Sequence, residues 1–276
     1  MNITKDSLDL IGNTPLLLVK NLDTGPCNLY LKLESFNLGG SIKDRPAKNM
    51  IIEAEKKGLL KKGGTIVEAT AGNTGIALAI MAVKRGYKVV IIVPDKMTIE
   101  KVYHLKALGA EVIVARSDVV NGHPEYYLEI AKRIAKERKA FYINQFSNQA
   151  NIKSHIKDLG PEIYKQLNGK IHAFVAGVGT GGTISGIGKF LKSKNKKCEL
   201  VLADPKGSIL KDLIKTGKIN KNVGSWIVEG IGEDFCPPLL DTSLIDHAYS
   251  ISDFEAIDSC RKLLQNEGIL AGSSSG

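Results

Sequence analysis

Asn37-Leu-Gly-Gly-Ser-Ile-Lys-Asp-Arg45 places a lysine where simple electrostatics disfavours one. Gly39 and Gly40 allow a tight turn and Ser41 carries the hydroxyl of a helix cap, so Lys43 and Asp44 are expected in the first turn of the helix that follows. The positive end of a helix dipole opposes a cation, and burial lowers an amine's pKa further. Together these effects predict a nucleophilic, Schiff-base-forming amine at Lys43, against the plainer reading of a solvated lysine in a Lys-rich chain.

On either side of this turn the pattern alternates. Asn28 to Leu33 reads as a strand, and Ala47 to Gly58 as a helix with Ala47, Met50, Ile51 and Ala54 on one face and Pro46 tolerated early. Strands are expected at Thr65 to Glu68, Val89 to Val93, Val112 to Ala115, Phe141 to Asn144, His172 to Ala176 and Glu199 to Ala203. Between and after them, helices are expected at Ile76 to Arg85, Ile99 to Leu108, Glu125 to Arg138, Pro161 to Leu167, Ile184 to Ser193 and Phe254 to Glu267. Asp204 stands at the end of the last of these strands, and a Lys-rich loop is expected from there to Asn222. Strand-helix alternation of this kind predicts an α/β protein with mostly parallel sheets flanked by helices. A strand-like Ile269 to Ala271 and a Ser/Gly turn close the sequence at Gly276, where a further helix would be expected, so the chain reads as truncated.

The 276 residues carry a net charge of +9, but the lysines are spread along amphipathic stretches such as Glu53 to Lys62 and Lys189 to Lys197. With no groove-reading motif or aromatic platform, the excess charge points to anionic small molecules rather than nucleic acid. No apolar run spans a bilayer and the start lacks a signal-peptide pattern, which predicts a cytoplasmic protein without a membrane partner. Cys27, Cys198, Cys236 and Cys260 are widely spaced and read as reduced thiols, with neither a disulfide framework nor a metal site. The five histidines are scattered and receive no role.

Two loops have the make-up of anion sites. Ala69-Thr-Ala-Gly-Asn-Thr-Gly75 joins a strand to a helix start, where amides lack internal partners. Gly177-Val-Gly-Thr-Gly-Gly182 matches G-x-G-x-x-G, with Asp204 about twenty residues on, the fingerprint of a nicotinamide-dependent oxidoreductase. The physics of that loop is less particular: glycines expose amides, Thr180 and Thr183 add hydroxyls, and a monophosphate is served as well as a dinucleotide.

Taken together, Ile11-Gly-Asn-Thr-Pro-Leu16, Gly39-Gly-Ser-Ile-Lys-Asp-Arg45, Glu68-Ala-Thr-Ala-Gly-Asn-Thr-Gly-Ile-Ala77, Gly179-Thr-Gly-Gly-Thr183, Glu229-Gly-Ile-Gly232 and Gly272 to Gly276 occur in one order along nearly the whole chain. This ordered set resembles the cysteine synthase and cystathionine β-synthase family of pyridoxal phosphate enzymes. The resemblance implies the tryptophan synthase β-like fold (fold type II), with the cofactor in a cleft between two domains. They are a smaller, mobile substrate domain (1–12 and 36–148) and a larger domain for the cofactor phosphate (13–35 and 149–276).

By the same resemblance, Lys43 would carry pyridoxal 5'-phosphate and then serve as general acid and base. Gly179, Thr180, Gly181, Gly182 and Thr183 would bind the phosphate, Asn73 the 3'-oxygen, and Ser274 would face the pyridine nitrogen. Thr70, Ala71, Asn73, Thr74 and Gln145 would line the substrate carboxylate, with Gly230 and Asp234 nearby. Leu38 stands where proline is usual, Ala71 where serine is usual, and Pro46 is uncommon at its position. These departures leave the cofactor chemistry and put the substrate in doubt. Gly230 to Phe235 looks closer to the cystathionine β-synthase branch. The implied reaction is β-replacement on O-acetylserine, serine or cysteine by sulfide or a thiol in a homodimer. A cysteine-degrading, sulfide-releasing activity and the oxidoreductase remain as alternatives.

Overall fold

The computed structural model describes residues 3–70, 72–119, 122–219 and 223–276. The chain divides into two compact units, Met1–Gly12 with Asn37–Asn151, and Asn13–Phe36 with Ile152–Gly276.

The second unit takes the first two strands of the chain, the antiparallel pair β1 (Leu16–Leu18) and β2 (Tyr30–Lys32). The first unit contains α1 (Asp44–Lys56), β3 (Thr65–Ala69), α2 (Asn73–Arg85), β4 (Lys88–Pro94), α3 (Ile99–Ala107), β5 (Glu111–Ala115), α4 (Tyr127–Glu137) and β6 (Phe141–Tyr142). Its four strands are all parallel, in the order β5-β4-β3-β6, with Val67 opposite Val90 and Val90 opposite Glu111. A parallel sheet needs both faces covered, and alternate residues of β3 and β4 supply both. Ile66, Val89, Ile91 and Val93 pack with Met50, Ile51, Leu78 and Met81 of α1 and α2. Val67, Ala69, Val90 and Ile92 pack instead with Ile130, Ala131, Ile134 and Ala135, one face of α4. Burying a side chain such as Ile91 or Ile92 fully contributes about 1.5–3 kcal/mol, so these two layers hold the ends of β3 and β6 in register. Those ends carry the polar residues of interest.

Besides β1 and β2, the second unit contains a parallel sheet of β7 (Ala173–Ala176), β8 (Glu199–Pro205) and β9 (His247–Ile251) in that order. Its helices are α6 (Gly160–Gln166), α7 (Gly182–Lys194), α8 (Leu210–Thr216) and α9 (Asp253–Glu267). The division between units falls within α5 (Gln149–Ser154). From α5 the backbone runs through a wide π turn, His155–Leu159, directly into α6. Pro161 lacks the N–H that an α-helix would use at that point, and the turn before it accommodates this by bonding Gly160 N–H to His155 O, five residues back. Val178, Ile184, Leu202, Ile209, Leu240 and Ala248 form the core beneath the sheet.

Three sequence expectations are corrected here. The expected Lys-rich loop contains α8, whose start is fixed by Lys211 N–H donating to Asp204 Oδ2 (2.8 Å). Ile269 to Ala271 is not a strand: Gly268 adopts φ +68 and Ile269 N–H turns back to Leu263 O, closing the end of α9. α1 begins at Asp44, so Lys43 is the residue before the helix rather than part of its first turn, and Ser41 Oγ accepts from Lys43 N–H (3.2 Å). Among the described residues, no helix is long and apolar enough to cross a membrane.

Candidate active site

In the first unit the lysine turn is built by Asn37, which is buried. Its Oδ1 accepts from Gly12 N–H (2.8 Å), its Nδ2 donates to Ser41 O (3.1 Å), and Gly40 N–H donates to Asn37 O (2.9 Å). Gly40 takes φ +77, a region open to glycine at no steric cost. A Cβ on Gly39 would meet the Asp44 carboxylate at 2.5 Å and would have to displace it. The Gly39 N–H donates to that same buried carboxylate. Lys43 is thus held half-buried between a fixed turn and the start of α1.

The second group of polar residues in this unit lies at the ends of β3 and β6. Thr70 continues β3, its N–H donating to Ile92 O (2.9 Å), while its Oγ1 accepts from Gly72 N–H (3.2 Å). α2 then starts at Asn73, three residues before its apolar run, leaving Asn73 and Thr74 in the first turn with amides that have no acceptor within the helix. Thr74 Oγ1 donates to Gln145 Oε1 (2.7 Å), and both residues are buried. Gln145 Nε2 approaches Ala69 O (3.4 Å), and Asn151 Nδ2 donates to Gln145 O (3.0 Å). Thr70, Thr74 and Gln145 are therefore brought together, with Asn73 exposed at the helix tip. Ala71 lies outside the described residues.

Glu68, two residues before Thr70, has no role in the sequence reading. It is 0% exposed and accepts from Gln145 N–H (3.2 Å) and Ala69 N–H (3.1 Å). Burial raises its pKa from 4.5 to about 8, outweighing the backbone donors Gln145, Ala69 and Asn144. Tyr142 nearby is also pushed up, chiefly by burial and then by the charge of Glu68. An acid inside the run Thr65-Ile-Val-Glu-Ala69 was the available signal, since carboxylates are rarely buried without a reason.

In the second unit, Gly177 to Thr183 runs from β7 into α7. Gly181 adopts φ +82 before the helix starts, and Thr180 Oγ1 accepts from Gly182 N–H (3.4 Å). Thr183 Oγ1 lies 3.3 Å from Nε2 of the buried His155. The segment around Gly230 is laid along this loop: Gly232 N–H donates to Val178 O (2.8 Å), a Cβ on Gly177 would meet Ile231 at 2.7 Å, and one on Gly179 would meet Gly230 O at 2.6 Å. Gly230 is thus beside the glycine loop, Asp234 is exposed further on, and Ser274 is exposed in the turn Ser273–Ser275.

These contacts account for the G-x-G-x-x-G match without a dinucleotide. Gly177 and Gly179 admit the neighbouring chain, and Asp204, 1% exposed, is committed to the start of α8 instead of a ribose. The nicotinamide reading is corrected accordingly.

A family model described as pyridoxal-phosphate dependent enzyme matches residues 8–276. The chain belongs to this family. Within it, the chain is 44% identical to cystathionine β-synthase of Apis mellifera over 99% of its own length and 55% of the relative's. It is 41% identical to an O-acetylserine dependent cystathionine β-synthase of Bacillus subtilis, over 100% of its own length and 87% of that protein's. A hydrogen sulfide-producing enzyme of Fusobacterium nucleatum superposes with a TM-score of 0.90 at 38% identity, over 99% of this chain and 89% of the other. The chain thus falls in the cysteine synthase and cystathionine β-synthase branch, with the tryptophan synthase β-like α/β fold, and spans about half the length of the first curated relatives.

The family's cofactor is pyridoxal phosphate, and the donors of the second unit suit its phosphate. The start of the 13-residue helix α7 presents amides that lack acceptors within the helix, Gly181 takes a positive φ, and Thr180 and Thr183 add hydroxyls.

Proposed function

We propose that this member of the family catalyses β-replacement on a serine-type amino acid (O-acetylserine, serine or cysteine) with sulfide or another thiol. The observation that carries the proposal is the polar end of the first unit's sheet. There, first-turn amides of α2 and the Nε2 side of the Gln145 amide group, oriented by Thr74 Oγ1 on Gln145 Oε1, would receive a small carboxylate.

Pyridoxal phosphate would supply the electron sink that makes the substrate's α-proton removable. Lys43 would provide the amine that holds the cofactor, and its Nζ would take the α-proton and return it to the same carbon. Gly179, Thr180, Gly181, Gly182 and Thr183 hold the phosphate, Asn73 bonds the 3'-oxygen, and Ser274 offers a neutral hydroxyl to the pyridine nitrogen. Thr70, Asn73, Thr74 and Gln145 would hold the substrate carboxylate in the loop that includes Ala71, with Gly230 and Asp234 near the substrate, where the acidic side chain would bind the amine or activate the thiol. The β-substituent leaves with the proton that the incoming thiol gives up, and the thiol sulfur forms the new bond to the β-carbon. We assign Met1–Gly12 with Asn37–Asn151 as the substrate domain and Asn13–Phe36 with Ile152–Gly276 as the phosphate domain.

A homodimer in the cytoplasm completes the reading, supported by the family and by four free cysteines in the chain. Release of sulfide from cysteine is a second use of the same chemistry, favoured by the likeness to a hydrogen sulfide-producing enzyme. The test is a panel of O-acetylserine, serine and cysteine, each with sulfide, homocysteine or no thiol, with products identified by mass. A thioether or cysteine product that disappears in Lys43→Ala is expected; no turnover with any pair refutes the proposal.

A further inference from the structure

We propose that Glu68 is a positioning residue for the substrate-carboxylate receptor, acting through the Gln145 backbone to aim the Gln145 side chain at Thr74. This inference rests on the β-replacement reading. The ladder between β3 and β6 ends at Val67 and Tyr142, and Ile143 N–H still donates to Val67 O (3.0 Å). At Asn144 the chain turns with φ +52, so the next amides no longer face β3 carbonyls. The Glu68 carboxyl group takes the place of those carbonyls: Oε2 accepts from Gln145 N–H (3.2 Å), while Oε1 accepts from Ala69 N–H (3.1 Å). A side chain thereby sets where strand β6 stops and where Gln145 points.

Gln145 is tied on its other sides by Asn151 Nδ2 on its carbonyl and Thr74 Oγ1 on its side chain. Only the amide is held by an ionisable group. Around Glu68, β4 supplies the register partner Ile91 and β6 supplies Tyr142, while Glu129 of α4 acts on Tyr142. Among the described residues, the groups that shift Glu68 are its burial and backbone amides, with no lysine or arginine among them. Burial of an acid without a cation is costly, and the same volume could have been filled by an apolar residue. The arrangement makes sense as a fixed acceptor for the Gln145 amide, which follows the left-handed Asn144, with Ala69 N–H holding the other oxygen.

The test is steady-state kinetics on the holoenzyme for Glu68→Gln, Gln145→Ala and the double variant, with O-acetylserine or whichever donor the wild type turns over. Glu68→Gln is expected to raise KM for the amino acid by tenfold or more while kcat falls less than threefold, and the double variant to be no worse than Gln145→Ala. Effects on KM that multiply, or a KM left unchanged, overturn the inference. Where Glu68→Gln does not take up cofactor, Glu68→Asp carries the same comparison, because it withdraws the carboxyl group by one methylene. Independently of activity, the Gln145 backbone amide resonance of the wild type should titrate with pH, and that transition should vanish in the variant; a pH-independent resonance also overturns it. A wild type inactive with every donor speaks against β-replacement itself, whereas an active wild type with an unaltered Glu68 variant speaks against this inference alone.

Discussion

Replacing Glu68 by glutamine should flatten the dependence of stability on pH. The carboxyl group titrates near 4.5 when exposed and at about 8 when buried in the native protein. Between those values the unfolded chain is ionised and the folded chain keeps its proton, so the folded state binds more protons and stability falls as pH rises. The contribution is fully present below about pH 4.5 and lost by about pH 8, a total on the order of 5 kcal/mol at about 1.4 kcal/mol per pH unit. Glutamine does not titrate, but its amide NH₂ faces donor N–H groups of Ala69 or Gln145, at a cost of about 1–3 kcal/mol. The variant should therefore be the less stable protein at pH 5 and the more stable one at pH 8. Urea unfolding followed by far-UV ellipticity, at constant saturating cofactor, gives the difference with the cofactor's contribution common to both proteins. Parallel curves from pH 5 to pH 8 would mean that Glu68 is ionised in the native protein across that range and that burial does not hold its proton.

Gly179→Ala should weaken cofactor binding at least tenfold, because the new Cβ would sit 2.6 Å from Gly230 O and backbone must move; absorbance titration of the cofactor measures this. Thr74→Val leaves the buried Gln145 Oε1 without its donor, a cost of about 1–3 kcal/mol, and should raise KM for the amino acid roughly tenfold with a smaller change in kcat. Ser252→Ala removes the capping box that starts α9, where Ser252 Oγ accepts from Glu255 N–H, and should cost about 1 kcal/mol in a urea titration without altering KM.

The alternating elements of both units were legible because their apolar periods agree with their lengths: α1 buries Ala47, Met50, Ile51 and Ala54 as its pattern predicts. What escaped reading was set by contacts distant in sequence or by polar helix starts. α2 begins at Asn73 because Asn-Thr-Gly occupies a first turn whose amides remain open, and a polar first turn looks like loop. α8 hid among lysines, since its start depends on Asp204 seven residues earlier. The π turn at His155–Leu159 has no periodic signal, and β9 alternates only weakly, with Ala248 its one buried residue. At the site, the motifs pointed to loops but not to what supports them. The hold of Glu68 on Gln145 spans 77 residues, and the fingerprint glycines serve Ile231 and Gly230.

The roles proposed for the other residues follow from Lys43 being the amine that joins pyridoxal phosphate. Borohydride reduction of the cofactor-loaded protein, followed by proteolysis and mass spectrometry, tests it most directly. One phosphopyridoxyl group is expected on the peptide containing Lys43 in the wild type, and none in Lys43→Ala. A label on a different lysine, or an unlabelled protein, would contradict it.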